Sequence, residues 1–281
     1  MLATAVITLW LALAFYAGAT VFYAYQAATK RAALAHITTA VAGAGLVLHT
    51  ASIGLRSVAT NGTELTGANV LVLMAWALVL VYFILEWVAR VKVYGAAIVP
   101  IALAMLCVAQ LLGAGRADLP GIPPQHAELL ESWRVGIHVA LIVFANAGYA
   151  VSAVASIAYL VLERQLKHHT TSKLFRRMPP LAQTDTIARR AIAWAYPAYT
   201  AGLLLGILRA VETGVGSWWA DPRVVLAVLV WLVFGAYQLL RWHRDWPGRP
   251  AAYLALAGCT LAALLAIIAR TVPAGFHVFG L

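Results

Sequence analysis

The sequence predicts an all-α membrane protein, a polytopic bundle of about eight transmembrane helices with both termini outside, and three observations predict it. The first is composition: of 281 residues, 63% are hydrophobic and 11% charged, at a mean hydropathy of +0.85. Soluble domains lie nearer half apolar and a quarter charged, so a water-soluble core cannot hide this much apolar surface. The second is segmentation into eight apolar runs, 2–26, 34–56, 68–90, 95–114, 134–163, 191–213, 223–242 and 251–273. Each comes close to or exceeds the roughly 20 residues a helix needs to span the hydrocarbon layer. The third is charge sidedness. When the Lys and Arg residues are assigned alternately to the two sides, 14 fall on one side and 6 on the other, the six being Arg56, Arg116, Arg134, Arg209, Arg223 and Arg270. The positive-inside rule puts the richer side in the cytoplasm. The formal charge of +10 would suggest nucleic acid in a soluble protein, but here its placement sets orientation and no nucleic-acid partner is expected. The eight runs leave no segment for a soluble domain, so 1–281 is read as one transmembrane domain.

The first run lacks a basic leading segment, exceeds a signal-peptide core in length and is followed by Thr29-Lys30-Arg31 instead of a small-residue cleavage site, so it reads as a retained helix. The second carries His36 at its inner start and His49 seven residues before Arg56, about 10 Å below the outer edge at 1.5 Å per residue. Asn69 marks the start of the third run, and Glu86 and Arg90, four apart near its inner end, are placed to pair on a helix face. Gly95 opens the fourth. An outer loop, Arg116 to Trp133, then carries Pro120, Pro123, Pro124, His126, Glu128 and Glu131. The fifth run places His138 one turn after Arg134. The inner loop from His168 to Arg190 holds Met178-Pro179-Pro180-Leu181 in a basic stretch whose charge enforces topology, with lipid headgroups or a partner as alternatives. In the sixth run Arg209 and Glu212 are three apart. Pro247 and Pro250 break the chain before the eighth. Cys107 and Cys259 lie mid-span with no C-x-x-C pairing, so they read as packing residues, and any thiol chemistry must come from a partner.

The segment Gly216-Ser217-Trp218-Trp219-Ala220-Asp221-Pro222-Arg223 stands between the sixth and seventh runs on the outer side. Asp221 reads as an N-cap and Pro222 as the first helical residue. The same cap aims free N–H groups and the positive dipole end outward, and Arg223 beside it makes an anion site. Trp218 and Trp219 serve either as interfacial anchors or as rings against the face of a flat ligand. Histidine inside a bilayer is costly and marks function by default. His49, His138 and His277 lie near this same face as haem ligands, proton-relay groups or polar glue between helices. Together with the paired tryptophans, His138 and His277 read as the two axial ligands that haem iron accepts. Arg223, Arg209, Arg134 and Arg56 are the cations for its propionates. His36, His168, His169 and His243 read as solvated inner-face residues.

These residues carry a resemblance to a known family. Gly216 to Arg223 resembles the tryptophan-rich WWD loop of the haem-handling cytochrome c assembly family, which includes CcsA (ResC), CcmC and CcmF, with HemX and YpjD proteins as relatives. His138 and His277 match the outer histidines that flank the loop, and the ending Gly275-Phe276-His277-Val278-Phe279-Gly280 is similar to the family's Gly-Leu-His-Ser-Tyr-Gly. The fifth run from Gly136-Ile137-His138 to Glu163-Arg164-Gln165-Leu166-Lys167, Met178-Pro179-Pro180-Leu181 and Trp246-Pro247-Gly248-Arg249 also resemble the family, so the likeness covers nearly the whole chain. The chain departs from it in three ways. The loop is one residue and one aromatic short, Arg223-Val224 replaces Lys-Glu, and Leu239 stands where a haem-ligating histidine is usual, with His49 as the surviving half of that inner site. The resemblance implies a subunit in the bacterial inner membrane that holds haem b at the outer face through His138, His277, Trp218, Trp219, Asp221, Arg223 and Arg209. It also implies as partners a ResB/CcsB-type membrane subunit, an apocytochrome c and a thioredoxin-like thiol reductant. Whether the chain belongs to a cytochrome c haem lyase, or is a HemX/YpjD-like non-catalytic accessory regulating haem biosynthesis or a transporter, stays open at this point.

Overall fold

The computed structural model describes residues 1–29, 34–60, 67–114, 133–169, 178–212, 214, 216–244 and 248–271. Among them are eight helices long and apolar enough to cross a membrane, and no strand. Without water to satisfy exposed N–H and C=O groups, the helix is the form that lets an apolar segment close its own backbone hydrogen bonds. The chain divides into two compact units, Met1–Glu131 and Ser132–Phe279. The first holds α1 (Leu2–Thr29), α2 (Leu34–Ala59), α3 (Gly67–Ala89) and α4 (Gly95–Leu111). The second holds α5 (Trp133–Lys167), α6 (Leu181–Glu212), α7 (Pro222–Arg244) and α8 (Arg249–Thr271). In both, large apolar side chains such as Trp10, Val47, Ile84, Leu204 and Leu232 face outward, while Thr38, His49, Ser52, Ser152, Ser156 and Thr184 are buried. The outer surface is thus apolar like the core, which suits a lipid surround.

In the first unit α1 packs along α2 and α3 along α4, with α1 also against α4; α2 and α3 barely meet although they are consecutive. Gly45 lies under the Tyr16 ring, where an added Cβ would stand 2.8 Å from ring carbons. At the opposite end from Arg56, the Tyr23 and Tyr82 hydroxyls are 2.6 Å apart, Tyr82 donates to Glu86 Oε2 at 2.6 Å, and Thr39 donates to Glu86 Oε1 at 3.1 Å. Gly95 packs directly on both tyrosine hydroxyls, which explains a glycine at the start of α4. The ion pair formed by Glu86 is with Lys92, at 3.6 Å, and not with Arg90. Helix α3 stops at Ala89 and Arg90 turns to φ 54°, so the four-residue helical spacing expected to join them is lost.

In the second unit α5 and α6 form a long antiparallel pair, and α8 packs against α5 and α7. Small residues let the backbones approach, as bilayer helices require: Gly148 touches Trp194 and Ala195, and Gly202 touches Leu141 and Ile142. Tyr149 stacks on Phe234 with ring centroids 3.6 Å apart, Trp231 donates to Thr200 Oγ1 at 2.9 Å, and Cys259 Sγ lies 3.0 Å from the Tyr149 carbonyl. Both cysteines are free.

Helix α6 starts ten residues before the apolar run does. The charge of residues 181–190 predicts a loop, but the helix begins right after Pro179-Pro180, and the Pro180 carbonyl accepts the Thr184 N–H at 3.0 Å. Ile187 and Ala188 are buried, and Asp185 pairs with Arg241 of α7 at 2.6 Å. With 35 and 32 residues, α5 and α6 run about 50 Å at 1.5 Å per residue, well beyond the ~30 Å hydrocarbon layer. Their charged ends therefore stand outside it.

Candidate functional site

The end of the second unit where α5 and α7 begin and α6 finishes collects most of the chemistry-bearing residues. His138 lies one turn after Arg134 on α5. Facing it on α6 are Gly202 and Gly206, one turn apart in a G-x-x-x-G spacing that lets the helices close up. His138 Nδ1 is 2.7 Å from the Gly202 carbonyl oxygen. A carbonyl can only accept, so Nδ1 carries the proton and donates it, and in the neutral ring Nε2 keeps the lone pair. Gly206 is flush with the imidazole: a Cβ there would lie 2.8 Å from His138 Cε1. The ring is thus held in one tautomer and one place.

One turn further out, Arg134 and Arg209 share Glu212. Arg134 forms an ion pair with it, and Arg209 Nη1 is 3.8 Å from Oε2. The side chains are 29–39% exposed, so each pair contributes at most about 1 kcal/mol. Their effect is positional, tying the start of α5 to the end of α6 and concentrating positive charge there. Arg134 also lies 5.8 Å over the Trp133 ring.

The chain leaves α6 through Gly214 at φ 66° and Ser217 at φ 58°, and these left-handed residues turn it into a short 3-10 segment, Trp218–Ala220. Trp218 and Trp219 meet edge to face at 6.3 Å, and Trp219 is 64% exposed. Asp221 is extended, and its Oδ1 accepts the Arg223 N–H at 2.8 Å while its carbonyl accepts the Val225 N–H at 3.0 Å. It is the N-cap of α7, with Pro222 the first helical residue. Asp221 and Arg223 are both buried, at 4% and 8% exposure, so the cations nearer the surface at this end are Arg134 and Arg209.

Of the residues singled out in the sequence, His138, Arg209, Trp218, Trp219, Asp221 and Arg223 stand at this one end of the second unit. His49 belongs to the first unit. It is fully buried between α1 and α2, with Nδ1 3.3 Å from the Tyr16 hydroxyl and the rings edge to face. Its Nε2 makes no well-formed hydrogen bond among the described residues, although the Val72 backbone reaches the ring. Leu239 is 55% exposed on α7. His36, His168, His169 and His243 are exposed. His277, like His126, lies outside the described residues. Sequence reasoning missed the Gly202 and Gly206 seat and the bridging role of Glu212. The signal was present as the spacing 202, 206, 209, which is one face of α6, but its partner lies 64 residues earlier on another helix.

Comparison with known proteins bears on this arrangement. The family model described as cytochrome C assembly protein matches residues 65–277, from before α3 to the tail. The chain is 30% identical over 271 residues to the cytochrome c biogenesis protein CcsA of Prochlorococcus marinus strain MIT 9303, covering 87% of this chain and 84% of that protein. It is 28% identical over 274 residues to the CcsA of Synechococcus sp. strain CC9605, covering 89% and 88%, and 26% identical over 226 residues to that of Guillardia theta, covering 75% and 74%. The matched span runs through His138, the glycine seat of α6 and the tryptophan loop. A multi-pass, all-helical chain matched over that span belongs to the cytochrome c assembly protein family.

Proposed function

We propose that this protein is the haem-handling membrane subunit of cytochrome c biogenesis, holding haem b at the outer face of the bacterial inner membrane for delivery to apocytochrome c. The observation that carries the reading is His138, whose Nδ1 donates to the Gly202 carbonyl at 2.7 Å so that Nε2 is the nitrogen available to iron. Metal-ligating histidines are commonly oriented by such a second hydrogen bond. The residues present fit the group. Among the described residues no three His, Cys, Asp or Glu side chains converge as a metal-binding set. A porphyrin supplies most of the iron's ligands itself, and His138 and His277 would supply the rest. Trp218 and Trp219 supply ring faces, Arg134 and Arg209 supply positive charge for propionates, and Asp221 and Arg223 fix the start of α7 that shapes the loop.

Bound haem supplies vinyl groups that form thioether bonds with the thiols of an apocytochrome C-x-x-C-H motif. This chain's residues contribute positioning and protection of the group more than acid–base catalysis. Cys107 and Cys259 are free and lie within different helices, so reduction of the apocytochrome falls to a thioredoxin-like partner, and a ResB/CcsB-type subunit completes the assembly. The test is co-expression with such a subunit and a C-x-x-C-H reporter in cells lacking their own assembly system. The wild type yields covalent haem on the reporter, and His138→Ala and His277→Ala lower that yield by at least tenfold, the order of a lost metal ligand or its orienting partner. Equal yields from all three would contradict the proposal.

A further inference from the structure

In the first unit the weak meeting of α2 and α3 leaves a cleft, and at the Arg56 end of α2 it opens into a cavity of about 160 Å³. Its deeper wall is apolar, formed by Leu9, Ile53, Val72 and Leu73. Its mouth is polar. Arg56, in the last turn of α2, donates from Nη1 to the Ala114 carbonyl at 2.8 Å, which holds the guanidinium across the opening beside Asn69. On the α1 side Ser52 donates to the Ala5 carbonyl at 2.7 Å, and two residues earlier on α2 Thr50 accepts from Trp76 at 2.8 Å, bridging α3 to α2. Among the described residues, none that lines it is acidic.

We propose that this cleft binds an anionic amphiphile, with a phosphodiester head at Arg56 and Asn69 and the first part of a hydrocarbon chain along Ile53, Val72 and Leu73, the remainder of the chain lying in the bilayer. Basic pockets between transmembrane helices take anionic headgroups, and a guanidinium at a helix end is placed at headgroup depth. One water needs only ~10–15 Å³ of such volume, so about 160 Å³ holds a head and the start of one chain. The apolar wall distinguishes the occupant from a free anion.

The test is native mass spectrometry of the full-length protein exchanged into dioleoylphosphatidylglycerol or dioleoylphosphatidylcholine, with monodispersity checked by size exclusion. The wild type retains one phosphatidylglycerol in preference to phosphatidylcholine. Arg56→Gln lowers that retention by about tenfold or more, the scale of a lost hydrogen bond to a charged group, while Arg56→Lys keeps the preference. Leu73→Trp, which fills the cleft and leaves Arg56 in place, also lowers retention and leaves the haem Soret band unchanged. Equal retention of the two lipids, or unchanged retention in both Arg56→Gln and Leu73→Trp, would overturn the proposal. So would displacement of the lipid by inorganic phosphate at equal concentration, which marks a simple anion site. Loss of the Soret band in Leu73→Trp would make the cleft part of the haem site and overturn it as well. Absence of haem from every variant bears on the haem reading alone.

Discussion

At the residue scale the account turns on one imidazole and the carbonyl that holds it. An added Cβ at Gly206 meets the His138 ring at 2.8 Å, closer than carbon atoms pack, so Gly206→Leu is expected to push the ring off its seat while leaving α6 helical, because leucine is a better helix former than glycine. Bound haem should then lose the His138 ligation signature in its absorption spectrum, and added imidazole should restore it. A spectrum like that of the wild type would show that the seat does not position His138. Asp221 offers the complementary case. Because its carboxylate caps α7, Asp221→Ala should cost about 1 kcal/mol of stability in detergent unfolding, and Asp221→Asn, an equally good cap, close to none. A matching loss of haem in Asp221→Asn would assign the carboxylate to the ligand instead. The sequence singles out His138 as an imidazole in an apolar run, open to reading as ligand, proton relay or glue between helices. Its seat was not legible there, since a glycine pair in a helix has many structural uses.

At the element scale the eight helices were legible, because the same apolar content that forbids a soluble core also sets span lengths. The ends were not, and α6 shows why. Its first ten residues are charged like a loop, yet they stand beyond the hydrocarbon layer, where a helix tolerates charge and can place Asp185 against Arg241 of α7. Arg241 is only 8% exposed in that pair. Removing the acidic partner with Asp185→Ala takes the ion pair from a mostly buried guanidinium that keeps its place over the Tyr237 ring, and should destabilise the second unit by about 1–3 kcal/mol, read by detergent unfolding. A change below 1 kcal/mol would reduce the extension of α6 to surface ornament. The failed pairing of Glu86 with Arg90 has the same origin, since a span ended one residue early and the last residue turned out of the helix.

At the scale of the whole molecule, the proposed placement of the tryptophan loop outside rests on the uneven distribution of Lys and Arg. With Cys107 and Cys259 replaced by alanine, a cysteine at Ser217 should react with a membrane-impermeant thiol reagent in intact cells, and one at His169 only after lysis. The reverse pattern would invert the protein and remove the loop from the face where apocytochrome c matures. Family membership was legible from the loop and its histidines together, because neither a tryptophan pair nor a lone histidine is specific by itself. The most direct test of the central claim is the absorption spectrum of protein purified from haem-replete cells. The wild type should carry the Soret band of bis-histidine haem, lost or much weakened in His138→Ala. Haem-free wild type, or an undiminished band in His138→Ala, would contradict the account.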